Sequence, residues 1–367
     1  MMSIKRLYCV CLYVLFFNSF FYSTEGIKKI LFQGKSYVFD SELNLIEGPK
    51  SYVGITENND YILSADRSDC KLCVKNKKGK ILYYTENINM PLFQLSSLDD
   101  SLILIHPFSG SEFILNCKTK QLISLQNELV SHSKSRKFNA NYIALQDGKI
   151  FSLKEKRIIK NDAYIKIYPF YGDKAVVFTG SNYSIWDQKK NCIGQKYNEA
   201  GEYFSDDLLP VRFQNGKTAF INTDAQIVFY IDLVSFDPGP RESPTLKYYF
   251  ENGVCCVNTV LNGWVIINDK GKIIKKMQNL LPAKNQNYSQ GLLAVYDGEK
   301  YGYLNSKGEC GFPCIFSSAS AFENGCAQVV YKEKDALLFK DGRLYFCEDL
   351  IKGNKTFIKI EEDLEKY

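Results

Sequence analysis

Histidine is nearly missing from this chain, which holds two in 367 residues, His106 and His132. A hydrolase built on an activated serine or cysteine needs a base beside its nucleophile, so that chemistry has almost nothing to draw on. Both histidines are expected as solvated loop residues, His106 because it precedes Pro107 and His132 because it sits among Ser and Lys. No glycine-rich phosphate loop, His-x-x-x-His pair or calcium-loop pattern is present. Charge of one sign is not in excess either, with 46 basic against 41 acidic residues. The basic clusters Lys77-Lys78-Gly79-Lys80, Lys134-Ser135-Arg136-Lys137 and Lys154-Glu155-Lys156-Arg157 are scattered and bounded by turn residues. They read as solvated loops, and no nucleic acid is expected as a partner. The paired carboxylates Asp99-Asp100 and Asp206-Asp207 fall where turns open strands, and turn formation accounts for them.

What the chain does have is aromatic and apolar residues. Tyrosine and phenylalanine number 25 each, alanine is sparse, and 45% of the residues are hydrophobic. That balance excludes disorder for most of the length and favours strands over helices, in two domains or one large repeat fold.

The N-terminus carries a different signal. Lys5 and Arg6 precede an apolar block from Leu7 to Tyr22, followed by Ser23-Thr24-Glu25-Gly26. This is the pattern of a secretory signal peptide over residues 1–26, cut after Ser23 or Gly26. The alternative, an uncleaved membrane anchor, has an apolar block shorter than the roughly 20 residues a spanning helix needs. Cleavage would leave 44 basic and 40 acidic residues, a net +4, and no membrane insertion is expected of the remainder.

Ten cysteines follow the signal: Cys70, Cys73, Cys117, Cys192, Cys255, Cys256, Cys310, Cys314, Cys326 and Cys347. An even number in an exported chain permits disulfides, with Cys70–Cys73 and Cys310–Cys314 the pairs to test. Neither pair has a matching second pair nearby, so no metal is expected. Cys255, Cys256 and Cys326 stand where neighbouring repeats place Leu, Ala or Val, which suits a small buried hydrophobe.

The repeat shows most plainly in YSQGLLAVYDGEKYGYLNSKGECGFPCI, Tyr288 to Ile315. Leu292 to Tyr296 is apolar, Asp297-Gly298 with Glu299 and Lys300 makes a turn, Tyr301 to Asn305 returns, Ser306-Lys307-Gly308 turns again, and Cys314 to Phe316 closes the unit. Related units open at Phe204, Phe250 and Phe322 with an aromatic, two residues, then Gly or Asp and an apolar run. Their starts lie 46, 38 and 34 residues apart. A second landmark keeps stricter distance: Asp207 to Ala225, Gly253 to Gly271, Gly291 to Gly308 and Gly325 to Gly342 span 18, 18, 17 and 17 positions. The extra length between the first two units falls in Asp232 to Tyr249, whose Asp237-Pro238-Gly239-Pro240 and Pro244 read as a surface loop.

Upstream the copies degrade but the rhythm persists. Hairpins are predicted at Lys35 to Phe39 with Leu43 to Ile46, Tyr61 to Leu63 with Leu72 to Val74, Leu102 to Ile105 with Phe113 to Leu115, Asn141 to Leu145 with Phe151 to Leu153, and Ala175 to Phe178 with Ile185 to Asp187. A period near 40 residues is that of a propeller blade. The runs Leu102 to Ile105, Ala175 to Phe178 and Leu292 to Val295 do not alternate, as expected of sheets covered on both faces. Trp186 and Trp264 lie inside strand patterns and are expected in the core.

With Gly291-Leu292-Leu293-Ala294-Val295, Tyr301-Gly302-Tyr303-Leu304-Asn305 and Gly308, the Tyr288 unit resembles the WG-repeat family. Tyr301 stands for the family's Trp; the pair is Trp264-Val265, Thr218-Ala219 and Asp335-Ala336 in the other units, so the resemblance covers about residues 200–346 with the dipeptide intact in none. It implies an all-β repeat scaffold that binds other molecules, with no catalytic residues to carry over. Ile185-Trp186-Asp187 also resembles the end of a WD-type propeller repeat.

The expectation is therefore an all-β repeat protein, a β-propeller or propeller-like array of about seven to eight short antiparallel sheets. After the signal (1–26) come a divergent β-repeat half (27–200), a WG-like half (201–350) and a polar tail or frayed helix (351–367). The expected function is non-catalytic binding at the cell surface or envelope, of another protein or a surface glycan, with no cofactor. The alternatives are a carbohydrate or small-ligand propeller, possibly a glycoside hydrolase using distant Asp and Glu, or two modules breaking near residue 200.

Overall fold

Leu293, Ala294 and Val295 could not all be buried by one sheet with a wet face, and the structure shows how they are. In sheet eight (Leu281–Phe316), Leu293 and Val295 pack into a cluster shared with sheet seven (Val254–Lys276), whereas Ala294, between them, packs into one shared with sheet nine (Ser318–Lys359). The same division holds in sheet seven, where Cys255 and Val257 face sheet six (Glu199–Tyr230) while Val254 and Cys256 face sheet eight. Each inner strand is thus apolar on both faces because each face meets a different neighbour.

The computed structural model describes residues 28–50, 53–57, 61–66, 72–76, 79–85, 92–97, 102–107, 113–124, 136–139, 142–144, 150–152, 157–160, 166–187, 192–235, 246–283 and 287–364. Among the described residues there are nine small antiparallel sheets, each a meander with strands in sequence order. That is one or two more than the seven to eight expected, because the opening hairpin, preceded by an unforeseen strand Lys28–Phe32, forms a sheet of its own. The signal segment, Cys70, His132, Asp99-Asp100 and Asp237 to Pro244 lie outside the described residues.

The array closes on itself. Ile30, Tyr37, Phe39 and Leu43 of the first sheet share one core cluster with Cys326, Leu337, Tyr345, Cys347 and Leu350 of the last. The Gln328 side chain spans the seam, accepting from Leu31 N (3.3 Å) and donating to Leu31 O (2.7 Å). The Lys28 ammonium donates to Asn324 O, and that of Lys355 to Glu42 O at 2.8 Å. Among the described residues no strand is exchanged across this seam; side chains and their hydrogen bonds close the ring. Near residue 200, Tyr183, Ile185 and Tyr197 of sheet five join Leu209, Val211 and Ile221 of sheet six in a single cluster.

Both sequence landmarks are backbone devices. The aromatic that opens each unit, Phe204, Phe250, Tyr288 or Phe322, is buried. The residues two and three positions later have positive φ, as in Gln290 (54°) and Gly291 (82°), and Ser289 bridges Leu292 across them, a tight type I′ turn. The second landmark is again a left-handed residue, and in sheets six, seven and eight an asparagine three positions ahead of it holds that turn. Asn305 Oδ1 accepts from Lys307 N (2.9 Å) and Glu309 N (3.0 Å); Asn222 and Asn268 do the same in their own sheets.

Three local expectations change. His106 is not in a loop but in strand Leu102–Pro107, paired with Gln94; a residue before proline is driven to extended backbone, which a strand accepts as readily as a loop does. The ends of the Asp232 to Tyr249 insertion are not surface: Leu233, Leu246 and Tyr248 are buried, and Leu233 bridges Thr259 of the next sheet. In the C-terminal segment, Ile358–Lys359 adds a fifth strand to sheet nine and helix Ile360–Leu364 follows, with Ile360 buried.

Candidate binding surface

The repeated turns are joined from unit to unit. Asp206 Oδ2 accepts from Gly253 N at 2.7 Å, the Glu251 carboxylate from Gln290 N (2.6 Å) and Gly291 N (2.9 Å), and Gln290 Oε1 from Gly325 N (2.8 Å). The polar residue at each turn therefore caps the backbone of the next. Asp206 and Asp207 both have positive φ, as befits the turn that the sequence assigns them.

Outside this stapled zone the surface changes character. The outermost strand of sheet six, Ile227–Tyr230, exposes Ile227, Val228 and Tyr230, the last at 61%. It continues into Val234, whose N donates to Asn258 O, and Val260 N donates to Asp232 O. These bonds bring in the hairpin tip of sheet seven, where Val260 is 70% and Leu261 84% exposed. Six exposed apolar side chains thus lie on two hydrogen-bonded stretches of outer backbone. Strand Ile227–Tyr230 has no charge and no proline to discourage pairing. Sequence reasoning did not find this surface, because IVFY has the composition of a buried strand.

A second feature lies in the seam. A cavity of about 300 Å³ is lined by Phe32 of the first sheet and, from the last, Phe346, Glu333, Asp335, Glu348 and Asp349. Lys334 also lines it, with its ammonium 5.4 Å from the centre of the Phe346 ring. Burial raises the Asp335 carboxyl above its ordinary value, against a hydrogen bond to Gln328 that lowers it. Glu348 is already paired with Lys352 (2.6 Å), which leaves three carboxylates against the ammonium of Lys334, a balance that suits a cationic guest.

Trp264 packs half-buried against the clusters on both sides of sheet seven and meets Tyr248 edge-on at 6.4 Å. Trp186 is half-buried, opposite Ala175 and Cys192. Cys255, Cys256 and Cys326 are buried hydrophobes, as expected. Cys310 and Cys314 are separate thiols, the first exposed and the second half-buried. Burial, with Asp297 nearby, pushes Cys314 up to about 11. Among the described residues no three His, Cys, Asp or Glu side chains converge on a metal-sized site, and no helix is long and apolar enough to cross a membrane.

No protein-family model matches the chain, and none of the curated proteins does. Among solved structures it is similar to BamB from Moraxella catarrhalis, with 14% identity and a TM-score of 0.46 over 76% of this chain and 93% of that one. It is also similar to the computationally designed Ika8 protein, with 12% identity and a TM-score of 0.43 over 78% and 95%. A third is KlHsv2 with loop 6CD replaced by a Gly-Ser linker, with 13% identity and a TM-score of 0.39 over 70% and 92%.

Proposed function

We propose that this chain is an exported, non-catalytic binding scaffold of WG-repeat type, and that it engages another protein through the outer face of sheets six and seven. The observation that carries this reading is the cluster of exposed apolar residues Ile227, Val228, Tyr230, Val234, Val260 and Leu261, on two stretches of backbone that the Val234–Asn258 and Val260–Asp232 hydrogen bonds hold side by side. Exposed apolar residues gathered in this way mark a protein contact rather than a sugar site. The export reading rests on the N-terminal pattern of residues 1–26. WG-type membership is supported by the two left-handed landmarks at near-constant spacing.

The test is affinity capture from an envelope or cell-surface extract with the full chain as bait. Val260→Asp with Leu261→Asp removes two side chains worth about 1.5–3 kcal/mol each when fully buried, so recovery of the specific partner falls by at least about tenfold. Leu82→Asp, at an exposed apolar position on sheet two, leaves recovery unchanged. Equal recovery by all three baits refutes the surface assignment. The seam cavity favours a second reading, a small cationic ligand such as an amino sugar; titration calorimetry with glucosamine that shows no saturable heat would eliminate that ligand.

A further inference from the structure

We propose that Asn354 is an N-glycosylation site, accepting an oligosaccharide from a polyprenyl diphosphate donor; this rests on the export reading. The chain holds three Asn-x-Ser/Thr tripeptides, at Asn182, Asn287 and Asn354. The fold separates them.

At Asn182 the amide nitrogen donates to Ser181 Oγ (3.0 Å) and the carbonyl accepts from Gln214 Nε2 (2.9 Å), while Ser184 is 4% exposed inside strand Tyr183–Asp187. At Asn287 the carbonyl faces Tyr249 N at 3.5 Å. The next two residues, Tyr288 and Ser289, are buried, and Ser289 Oγ donates to Phe322 O at 2.6 Å. A glycan on either asparagine would have to displace contacts between neighbouring sheets.

Asn354-Lys355-Thr356 is exposed at all three residues, in the loop between helix Cys347–Ile351 and strand Ile358–Lys359. Asn354 Oδ1 accepts from Thr356 N (3.1 Å) and from Thr356 Oγ1 (2.6 Å). The third residue's hydroxyl therefore already bonds the acceptor amide, and Nδ2 has no partner among the described residues. The loop is held by Lys355, whose ammonium reaches Glu42 O (2.8 Å) and Asn44 Oδ1 (2.6 Å) across the seam.

In the transfer, Asn354 Nδ2 forms a bond to the anomeric carbon of the donor sugar as the bond from that carbon to the diphosphate oxygen breaks. The polyprenyl diphosphate leaves with the electron pair, and one amide proton passes to a base of the transferase. Nothing is oxidised or reduced.

The full chain is translated with endoplasmic-reticulum microsomes, followed by protease protection and by endoglycosidase treatment with gel and mass analysis. The expected result is one protease-protected, endoglycosidase-sensitive species. Its mobility shift is lost in Asn354→Gln and Thr356→Ala, kept in Thr356→Ser, and unaffected by Asn182→Gln or Asn287→Gln. A protected chain without the shift, or a shift lost only in the Asn182 or Asn287 variant, overturns the assignment and leaves export standing. A chain that stays protease-sensitive overturns the export reading and the site with it.

Discussion

Replacing Gly302 by alanine is the sharpest test of how the sheets are built. Its φ is not left-handed, so the backbone itself accepts any residue. The objection is space: a Cβ there would stand 2.7 Å from Phe312 O, 2.8 Å from the Pro313 carbonyl carbon and 2.9 Å from Cys314 N. All three are main-chain atoms of the outer strand, which cannot rotate away as a side chain would. Overpacking of this kind costs about 1–3 kcal/mol, and the upper half applies because three backbone atoms must move together. Loss of glycine's freedom in the unfolded chain returns about 0.4–1 kcal/mol. The net is a destabilisation of about 1–2.6 kcal/mol, read as a lower thermal midpoint. The strand that yields carries half-buried Cys314, so its alkylation rate rises in Gly302→Ala. Gly291→Ala is the control: nothing lies within 4 Å of its Cβ, so it suffers only left-handed strain, about 1–2 kcal/mol before the same offset, and Cys314 stays protected. An unchanged midpoint together with unchanged Cys314 protection in Gly302→Ala refutes the reasoning.

Glu251→Ala strips the acceptors from Gln290 N and Gly291 N and is expected to cost about 2–3 kcal/mol in denaturant unfolding, with Glu251→Gln costing less. The Asp335 carboxyl is raised by burial, so the folded state holds its proton more tightly than the unfolded state does. Stability then falls as pH rises from its ordinary value of 3.8 through the raised one, and Asp335→Asn flattens that slope in pH-dependent melting. Alkylation under native conditions is expected to label exposed Cys192 and Cys310 first, whereas buried Cys255, Cys256 and Cys347 react only on unfolding, as peptide mass mapping would show.

The inner strands and the two turn landmarks were legible because each restricts residue type. Positive φ favours Gly, Asn or Asp, with Gln290 and Ala225 the exceptions in these turns, and a strand with a neighbour on either face selects continuous apolar residues. The outer strands impose neither restriction. Ile227–Tyr230 and Ile273–Lys276 pair along one edge only and carry exposed isoleucines, so composition does not tell their solvent side from a core. Ring closure was illegible for a different reason: Lys28, Gln328 and Lys355 reach nearly the whole chain length to their partners, and nothing local marks them. The exposed apolar cluster was hidden likewise, because Val260 and Leu261 join Val234 only when Leu233 bridges Thr259.

The variable dipeptide has a structural explanation. In sheets six, seven and nine the second residue of the pair, Ala219, Val265 or Ala336, sits in regular register with the outer strand, opposite Tyr230, Lys276 or Phe346. A paired position of that kind has room for a Cβ, and all three side chains are buried in the core. In sheet eight the register steps from Tyr301 opposite Phe316 to Tyr303 opposite Phe312, two residues on one strand against four on the other. The surplus backbone folds over Gly302, and glycine is required there. Sheets six and seven keep only the shift that sheet eight also has at Tyr303/Leu304, so the glycine follows the extra bulge at Tyr301 to Tyr303 rather than the repeat, and a unit without that bulge is free to replace it. The left-handed turn positions keep their backbone conformation in every unit, even where Asp207 and Ala225 replace glycine, and that is why their spacing outlasts the dipeptide.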